Sequence, residues 1–309
     1  MGFDVAAYNH NVSKDPVSAT IAPPTGYISA VFNVGKIANK GIEALVSYKI
    51  INMTKFTWEP SFNFAYNKSN IVALYGTLKQ ITVDNARTQT AYIAQEIGKP
   101  YDEIQVDAYQ RNASGQIINS PTGLPNPATN LKDMGTGVAP WTLGLTNTFN
   151  YKNWRLTFLI DGKFGGKIFD GDEALAYRYG LAKKTLPGRL TGITAPGVGP
   201  DGKTANSVLL AAETYYVDLY NFGEPFVYSS DFIKLRSLTL DYSFPSTMIG
   251  KTPFKSITLS LVGRNLWTIM KHTPIIDPES TYNNGNAQGL EFGSAPVTRT
   301  AGLNLNMKF

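Results

Sequence analysis

Strict alternation of apolar and polar residues constrains this chain more than any other feature. It runs through residues 56–67 (FTWEPSFNFAYN), 154–162 (WRLTFLIDG), 237–244 (SLTLDYSF) and 256–267 (SITLSLVGRNLW). A period of two separates the side chains onto the two faces of a β-strand. The sequence therefore predicts an all-β, antiparallel chain. Its eight predicted strands lie near residues 2–10, 40–51, 55–67, 139–151, 153–164, 229–244, 254–269 and 298–309.

The connections between these strands alternate in length. Short links are predicted at residues 52–54, 152 and 245–253, and long links at residues 11–39, 68–138, 165–228 and 270–297. Short turns at one end and long loops at the other are typical of outer-membrane barrels, whereas a soluble sandwich has no reason to alternate in this way. Aromatic side chains at the ends of the apolar faces suit the two membrane interfaces. The pattern therefore favours strands that span a membrane. Such strands must close into a β-barrel, because every backbone N–H and C=O group in lipid needs a hydrogen-bond partner within the protein.

Composition narrows the function classes. The absence of cysteine excludes disulfides and cysteine-based sites. A net charge of +5 spread over 309 residues, without a Lys/Arg cluster, indicates an ordinary surface and not a nucleic-acid partner. The first residues lack the basic flank and apolar core of a signal peptide and already alternate like a strand. We therefore expect the chain to be a piece of a longer protein.

The last predicted strand gives an orientation. Its apolar face carries Leu303, Leu305, Met307 and Phe309. A terminal phenylalanine that closes an alternating strand resembles the signal read by the outer-membrane insertion machinery. With Phe309 in the periplasm, every long link falls outside the cell and every short link falls in the periplasm.

Residues 197–204 (GVGPDGKT) fit the phosphate-loop pattern through Gly197, Gly202, Lys203 and Thr204. That motif needs a buried strand before it and a helix after it. The preceding segment is rich in proline and glycine, and Pro200 removes an amide from the loop itself. We interpret the match as a chance resemblance in a Gly/Pro turn, with Lys203 solvated.

Other candidate side chains lie in the predicted loops. Asp170, Asp172 and Glu173 are close enough in sequence to suggest calcium, but their spacing fits no EF-hand loop, and solvated acids are the favoured interpretation. Asp277 and Glu279 are interpreted as structural loop residues and not as an acid/base pair. No catalytic, cofactor-binding or metal-binding residue is therefore assigned.

Five tyrosines form a binding hypothesis for substrate or for a partner protein. They lie in two aromatic loop segments, and their rings suit stacking on sugar rings or on a partner that covers the loops. Packing of the loops on each other remains an equal alternative. The five are Tyr177, Tyr179, Tyr215, Tyr216 and Tyr220.

Several segments together resemble one family. Residues 229–245 (SSDFIKLRSLTLDYSFP), 262–269 (VGRNLWTI) and 277–280 (DPES) are similar, in order, to consecutive blocks of the SusC/RagA-like TonB-dependent outer-membrane transporters. The closing strand, the segment YKNWRLTFLIDGKFGGKIFD and an upstream stretch beginning PPTGY resemble that family as well. The resemblance spans nearly the whole chain.

The resemblance implies a role for the whole protein. Family members close a barrel of about 22 strands, and residues 1–309 would be its C-terminal third, without signal peptide, N-terminal extension or plug. Such proteins are TonB-energised importers of glycans, peptides and other large nutrients, in the outer membrane of Bacteroidetes, with a SusD-like surface lipoprotein as partner. The residues alone also leave open a small self-contained outer-membrane barrel and, less favoured, a soluble all-β carbohydrate-binding or hydrolytic domain.

Overall fold

A computed structural model describes residues 1–20, 23–27, 29–280 and 287–309. The strands are β1 (Gly2–Thr20), β2 (Ser29–Ser47), β3 (Ile51–Asn52), β4 (Phe56–Ala73), β5 (Gln80–Asn85), β6 (Ala91–Glu96), β7 (Glu103–Val106), β8 (Lys132–Thr136), β9 (Trp141–Tyr151), β10 (Trp154–Phe164), β11 (Lys167–Asp170), β12 (Ile193–Thr194), β13 (Leu209–Leu210), β14 (Val227–Ser229), β15 (Phe232–Ser243), β16 (Ser256–Lys271), β17 (Leu290–Glu291) and β18 (Thr300–Lys308). The helices are α1 (Gly171–Arg178), α2 (Ala212–Leu219) and α3 (Ser246–Ile249), with short 3-10 turns at Pro23–Thr25, Lys183–Thr185 and Glu224–Phe226. None of these helices has the length and apolar character needed to cross a membrane.

One large antiparallel sheet, the main sheet, organises the described residues. Its strands follow the order β1-β2-β4-β9-β10-β15-β16-β18, and the short β3 pairs with β4. Each of these eight ordered strands overlaps one predicted strand. The all-β, antiparallel class is therefore confirmed, while closure of a barrel of about 22 strands stays a prediction.

The register of the main sheet keeps apolar residues in line across neighbouring strands. One such row of directly paired residues is Trp58, Phe149, Leu156, Leu240, Leu261 and Leu303. The adjacent row, displaced by one residue in every strand, consists of polar residues: Thr57, Asn150, Arg155, Asp241, Ser260 and Asn304. The apolar face is open: Leu261 is 54% exposed and Leu303 is 72% exposed.

The connections form two ends of the main sheet. At the turn end, residues 152–153 join β9 to β10, and α3 lies in the link from β15 to β16. At the loop end, residues 74–140, 165–231 and 272–299 are long, as predicted. Residues 281–286 of the last loop lie outside the described residues.

The predicted first loop, residues 11–39, is wrong in its extent. The strands β1 and β2 pair from Gly2 with Ser47 up to Thr20 with Ser29, so this hairpin projects well beyond the other strands. The added residues carry no sustained apolar alternation, which is why they did not signal a strand. Residues 21, 22 and 28 of the connection lie outside the described residues.

The buried core of the described residues lies at the loop end. We call residues 74–140, 165–231, 272–280 and 287–299 the loop cap. A four-stranded sheet, β5 to β8, packs there with α1, α2 and the three-stranded sheet β14-β11-β17. Its largest fully buried apolar side chains include Ile93, Ile104, Val106, Phe169, Phe226 and Leu290. The loops thus form a packed unit above the main sheet.

Candidate functional site

A buried lysine ties the loop cap to the main sheet. Lys234 lies on β15 and is only 2% exposed. Its Nζ donates to both oxygens of Asp277, at 2.7 and 2.9 Å, and to Oε2 of Glu279 at 2.7 Å. Burying an ammonium group is costly unless it is paired and hydrogen-bonded, and these two carboxylates pair it.

Arg236 extends this contact to two further strands. The pairing register between β10 and β15 shifts between Leu159 and Ile160, which leaves Arg236 as the extra residue of a bulge in β15. Its guanidinium donates to Asp161 of β10 at 2.8 Å, to Glu279 at 2.8 Å and to the Asn265 side chain at 3.2 Å. We call Asp161, Lys234, Arg236, Asp277 and Glu279 the anchor cluster.

The anchor cluster explains why separate motifs of the sequence belong together. Asp161, the FIKLR segment, Asn265 of the GRNL segment and the DPE segment all meet at this point. The geometry favours the structural interpretation of Asp277 and Glu279, because both carboxylates are engaged by cations. Sequence reasoning missed Lys234 and Arg236, although charged residues within an alternating strand are a signal of pairing.

Electrostatics favours the charged form of Glu279. Burial acts to raise the pKa of its carboxyl, but the hydrogen bonds and charges of Lys234 and Arg236 outweigh burial and hold the pKa below its ordinary value. The contact therefore persists over the whole range from neutral to mildly acid pH.

Three of the five candidate tyrosines line a cleft of about 700 Å³ in the loop cap. Tyr179 is 67% exposed at this cleft, whereas Tyr216 is 7% exposed and donates its hydroxyl to Pro187 O at 3.2 Å. Tyr177 packs edge-on against Phe226, with 5.1 Å between ring centroids. Burial, followed by the charge of Glu173, raises the pKa of Tyr177 to about 12, so its hydroxyl remains a hydrogen-bond donor.

The other two candidate tyrosines pack within the cap. Tyr215 lies edge-on to Tyr216 at 5.2 Å, and Tyr220 lies under the Arg178 guanidinium at 4.6 Å. Arg178 and Arg189 border the cleft, but Arg189 is engaged by Thr185, whose hydroxyl it reaches at 2.8 Å. Among the described residues, the cleft therefore offers an exposed ring at Tyr179 and the exposed guanidinium of Arg178, which stacks on Tyr220.

The phosphate-loop match is a turn whose amides are already occupied. The Asp201 carboxylate accepts from the amides of Lys203 and Thr204, both at 3.0 Å, and from the Thr204 hydroxyl at 2.5 Å. The Thr204 hydroxyl, followed by these amides, lowers the pKa of Asp201 to about 2. The segment runs on to Leu209 without helix, and Lys203 is exposed. This geometry favours a turn, because the protein's own carboxylate takes the place of a phosphate.

The acidic segment is not solvated as expected. Asp170 is 0% exposed and Glu173 is 2% exposed. Asp170 caps α1 by accepting from the Glu173 amide at 2.8 Å, and Glu173 pairs with Lys184 at 3.0 Å. The expectation of solvated loop acids is therefore wrong for these two residues, since capping and pairing draw them into the cap. Within the described residues, no group of three His, Asp or Glu side chains is arranged to hold a metal ion.

The closing strand places its four apolar residues on the open face. Leu303 pairs with Leu261, Leu305 with Leu259 and Met307 with Ile257. Phe309 is 75% exposed, and its ring lies 5.0 Å from that of Phe254. Whether these residues act as an insertion signal stays a prediction.

Comparison with known proteins adds evidence independent of this geometry. No family model matches the chain. The chain is 27% identical over 313 aligned positions to TonB-dependent receptor P3 of Formosa agariphila, covering 92% of this chain and 30% of that protein. It is 22% identical over 305 positions to TonB-dependent receptor SusC of Bacteroides thetaiotaomicron, covering 90% of this chain and 27% of that protein.

Solved structures show the same fold. The structure of the RagAB peptide transporter matches with a TM-score of 0.72 at 17% identity, covering 99% of this chain and 33% of that chain. The RagAB peptide importer in its "open-open" state matches with a TM-score of 0.65. The chain spans about a third or less of the length of these proteins. The chain is thus a relative of the TonB-dependent receptors, and its resemblance to the SusC/RagA-like members is confirmed.

Proposed function

We propose that the chain forms part of the wall and the outward-facing loops of an outer-membrane nutrient importer of the SusC/RagA type. The observation that carries this proposal is the main sheet, with one continuous apolar face and a loop cap at one end, in a fold that matches RagAB over 99% of the chain. An open apolar face suits lipid, and a polar face suits an aqueous lumen.

In this proposal, residues 1–309 are the C-terminal part of a barrel of about 22 strands. The free edges of β1 and β18 would pair with strands contributed by the rest of the protein, because an unpaired edge is not stable in lipid. Energy would come from TonB acting through a part of the protein outside this chain. The chain itself would supply barrel wall and loops and carry out no catalysis.

A surface lipoprotein of the SusD type is the proposed partner. The loop cap exposes large apolar side chains close to the tyrosine cleft: Leu181 is 79%, Leu190 is 99% and Leu209 is 67% exposed. These exposed apolar side chains would suit contact with a second protein. The cargo would be a glycan or a peptide that meets the loop cap between these two proteins.

Growth and location test the proposal together. An in-frame deletion of the gene in the native host should abolish growth on one polymeric nutrient in a panel of glycans and protein digests. Re-expression should restore that growth, but not in a strain without functional TonB. The protein should sediment with the outer membrane. In a detergent gel, an unheated sample should migrate faster than a heated one, as is usual for folded barrels. Growth that is independent of TonB, or a protein found in the soluble fraction, would contradict the proposal.

A further inference from the structure

The last loop is docked on the loop cap by a short parallel strand pair. The strand β17 lies alongside β11, with Phe169 opposite Leu290 and Asp170 opposite Glu291. The Phe169 amide donates to Gly289 O at 2.8 Å. This pair joins the loop between β10 and β15 to the loop between β16 and β18.

Two carboxyl groups are buried at this junction, on residues that are direct partners in the pairing of β11 with β17. Asp170 and Glu291 are both 0% exposed. One oxygen of each is used locally: Asp170 Oδ1 accepts from the Glu173 amide at 2.8 Å, and Glu291 Oε1 accepts from the Ser294 amide at 2.9 Å. The second oxygens, Asp170 Oδ2 and Glu291 Oε2, have no hydrogen-bond partner among the described residues. Two neighbouring carboxylates in such a place cannot both be charged without a large cost.

The charges on α1 do not relieve this cost. Glu173 pairs with Lys184 at 3.0 Å and accepts a hydrogen bond from the Tyr228 hydroxyl of β14. Asp172 accepts from the Gly293 amide at 2.8 Å and adds another negative charge. Lys167 begins β11 but makes no ion pair within the described residues.

The groups on the other neighbouring elements are also engaged. Glu103 of β7 accepts from the Gly135 amide at 2.8 Å. The Arg87 guanidinium lies 5.9 Å from the centre of the Phe292 ring. Asp102 accepts from the Gln288 amide at 3.3 Å, and its ionised form would accept that bond more strongly. Burial raises the pKa of Asp102 to about 7, so Asp102 ionises in the same pH range as Asp170, and its own variant is needed to separate the two effects.

We propose that Asp170 and Glu291 share a proton and form a pH-sensitive clasp between the two loops. In the closed form, the protonated oxygen of one carboxyl donates to the free oxygen of the other, which satisfies both Oδ2 and Oε2. Removal of that proton places two negative charges together in the buried junction. The contact between β11 and β17 then weakens, and residues 287–294 lift from the cap.

The titration of these groups has the direction that the clasp requires. Burial raises the pKa of Asp170 to about 7, and the nearby charges of Glu173, Glu291 and Asp172 add to this effect. Burial also raises the pKa of Glu291. A carboxyl whose pKa is raised in the folded state contributes stability that is present at acid pH and is lost as the pH rises to that folded value. The clasp is therefore closed at mildly acid pH and open at mildly alkaline pH.

Hydrogen exchange of the purified protein in detergent tests the clasp. The readout is the protection of the amides of residues 289–292 at about pH 5.5 and about pH 8.5, corrected for the intrinsic pH dependence of exchange. In the wild type, protection should fall by about tenfold or more between the two pH values. The variant Glu291→Gln keeps the shape and can donate its side-chain amide to Asp170, so protection should change by less than about threefold.

A second variant and two controls keep the test decisive. Asp170→Asn retains an oxygen to cap α1 and can donate to Glu291, so it should flatten the response in the same way. Asp102→Asn, at the other buried carboxyl that touches this segment, should leave the wild-type response in place, as should Asp201→Asn in an exposed turn. A response that Asp102→Asn abolishes would belong to Asp102 and would overturn the proposal. A wild type whose protection does not depend on pH would overturn the proposal. The proposal would also be overturned if amide protection fell between the two pH values as much in a folded clasp variant, Glu291→Gln or Asp170→Asn, as in the wild type.

Discussion

Lys234 and Asp277 are joined by two hydrogen bonds, of 2.7 and 2.9 Å, between residues 43 positions apart in the chain. This contact fixes the start of the last loop to β15, and Glu279 and Arg236 surround it. A main-sheet strand and a loop are thus held by charge at the point where the sheet ends.

Replacing Lys234 with methionine should loosen the last loop. The change leaves two partly buried carboxylates short of a cation, and loss of one partner of a buried ion pair typically costs about 3–5 kcal/mol. Limited proteolysis should show faster cleavage within residues 272–299. The matched control is Lys163→Met, since Lys163 lies 3.9 Å from Glu279 and its side chain is 48% exposed. Equal cleavage in the two variants would argue against the anchor cluster.

A second prediction concerns a polar residue on the apolar face of the main sheet. Asn147 lies directly opposite Pro60 and Phe158 and is 7% exposed, and Trp58 Nε1 donates to its Oδ1 at 3.1 Å. Trp58→Phe should destabilise the fold by about 1–3 kcal/mol, because it leaves a buried amide unsatisfied.

Adding Asn147→Leu to the Trp58→Phe variant should recover most of that loss, since both polar partners are then gone. Urea unfolding of the protein folded in detergent, followed by gel mobility, measures both effects. If the loss of stability in the double variant equalled the sum of the losses in the two single variants, the Trp58–Asn147 hydrogen bond would not explain the effect of Trp58→Phe.

The turn at residues 197–204 should not bind nucleotide. Addition of ATP should leave the melting temperature unchanged in the wild type and in Lys203→Ala, because Asp201 already occupies the amides of the turn. Asp201 has a pKa lowered to about 2, so its contribution to the turn is present above the ordinary aspartate value and disappears only as the pH falls through about 2. Saturable ATP binding that Lys203→Ala abolishes would restore the phosphate-loop hypothesis.

Much of the main sheet could be predicted from sequence, because a strand with one apolar face shows a period of two, as in Phe62 and Phe64 of β4. The ends of β1 and β2 could not, since residues that project past the apolar band carry no such pattern. The small strands β5 to β8 pair only within the cap and are too short to signal themselves. Burial of Asp170 and the meeting of Lys234 with Asp277 depend on loops folding over each other, which spacing along the chain does not encode.

The tyrosine cleft makes a further prediction, which rests on the proposed function. Tyr179→Ala should lower uptake of the nutrient identified by the growth test, or recovery of the surface lipoprotein with the purified transporter, by several-fold. Its level in the membrane should not change, because the Tyr179 side chain is largely exposed. Tyr27→Ala is the control, since Tyr27 is 70% exposed between β1 and β2, away from the cleft. If Tyr179→Ala matched the wild type in both uptake and recovery of the lipoprotein, Tyr179 would not belong to the proposed site.

Cysteine labelling in intact cells tests the central claim most directly, and the chain contains no cysteine of its own. Tyr179→Cys probes the loop cap, Met53→Cys probes the turn end, and Leu240→Cys probes the apolar face. A membrane-impermeant maleimide should label only the first in intact cells and should label the second after the outer membrane is permeabilised. A fluorophore attached at the third should be quenched by lipids that carry a spin label. Labelling of Met53→Cys in intact cells with Tyr179→Cys protected, or the absence of lipid quenching at Leu240→Cys, would contradict a membrane wall with outward-facing loops.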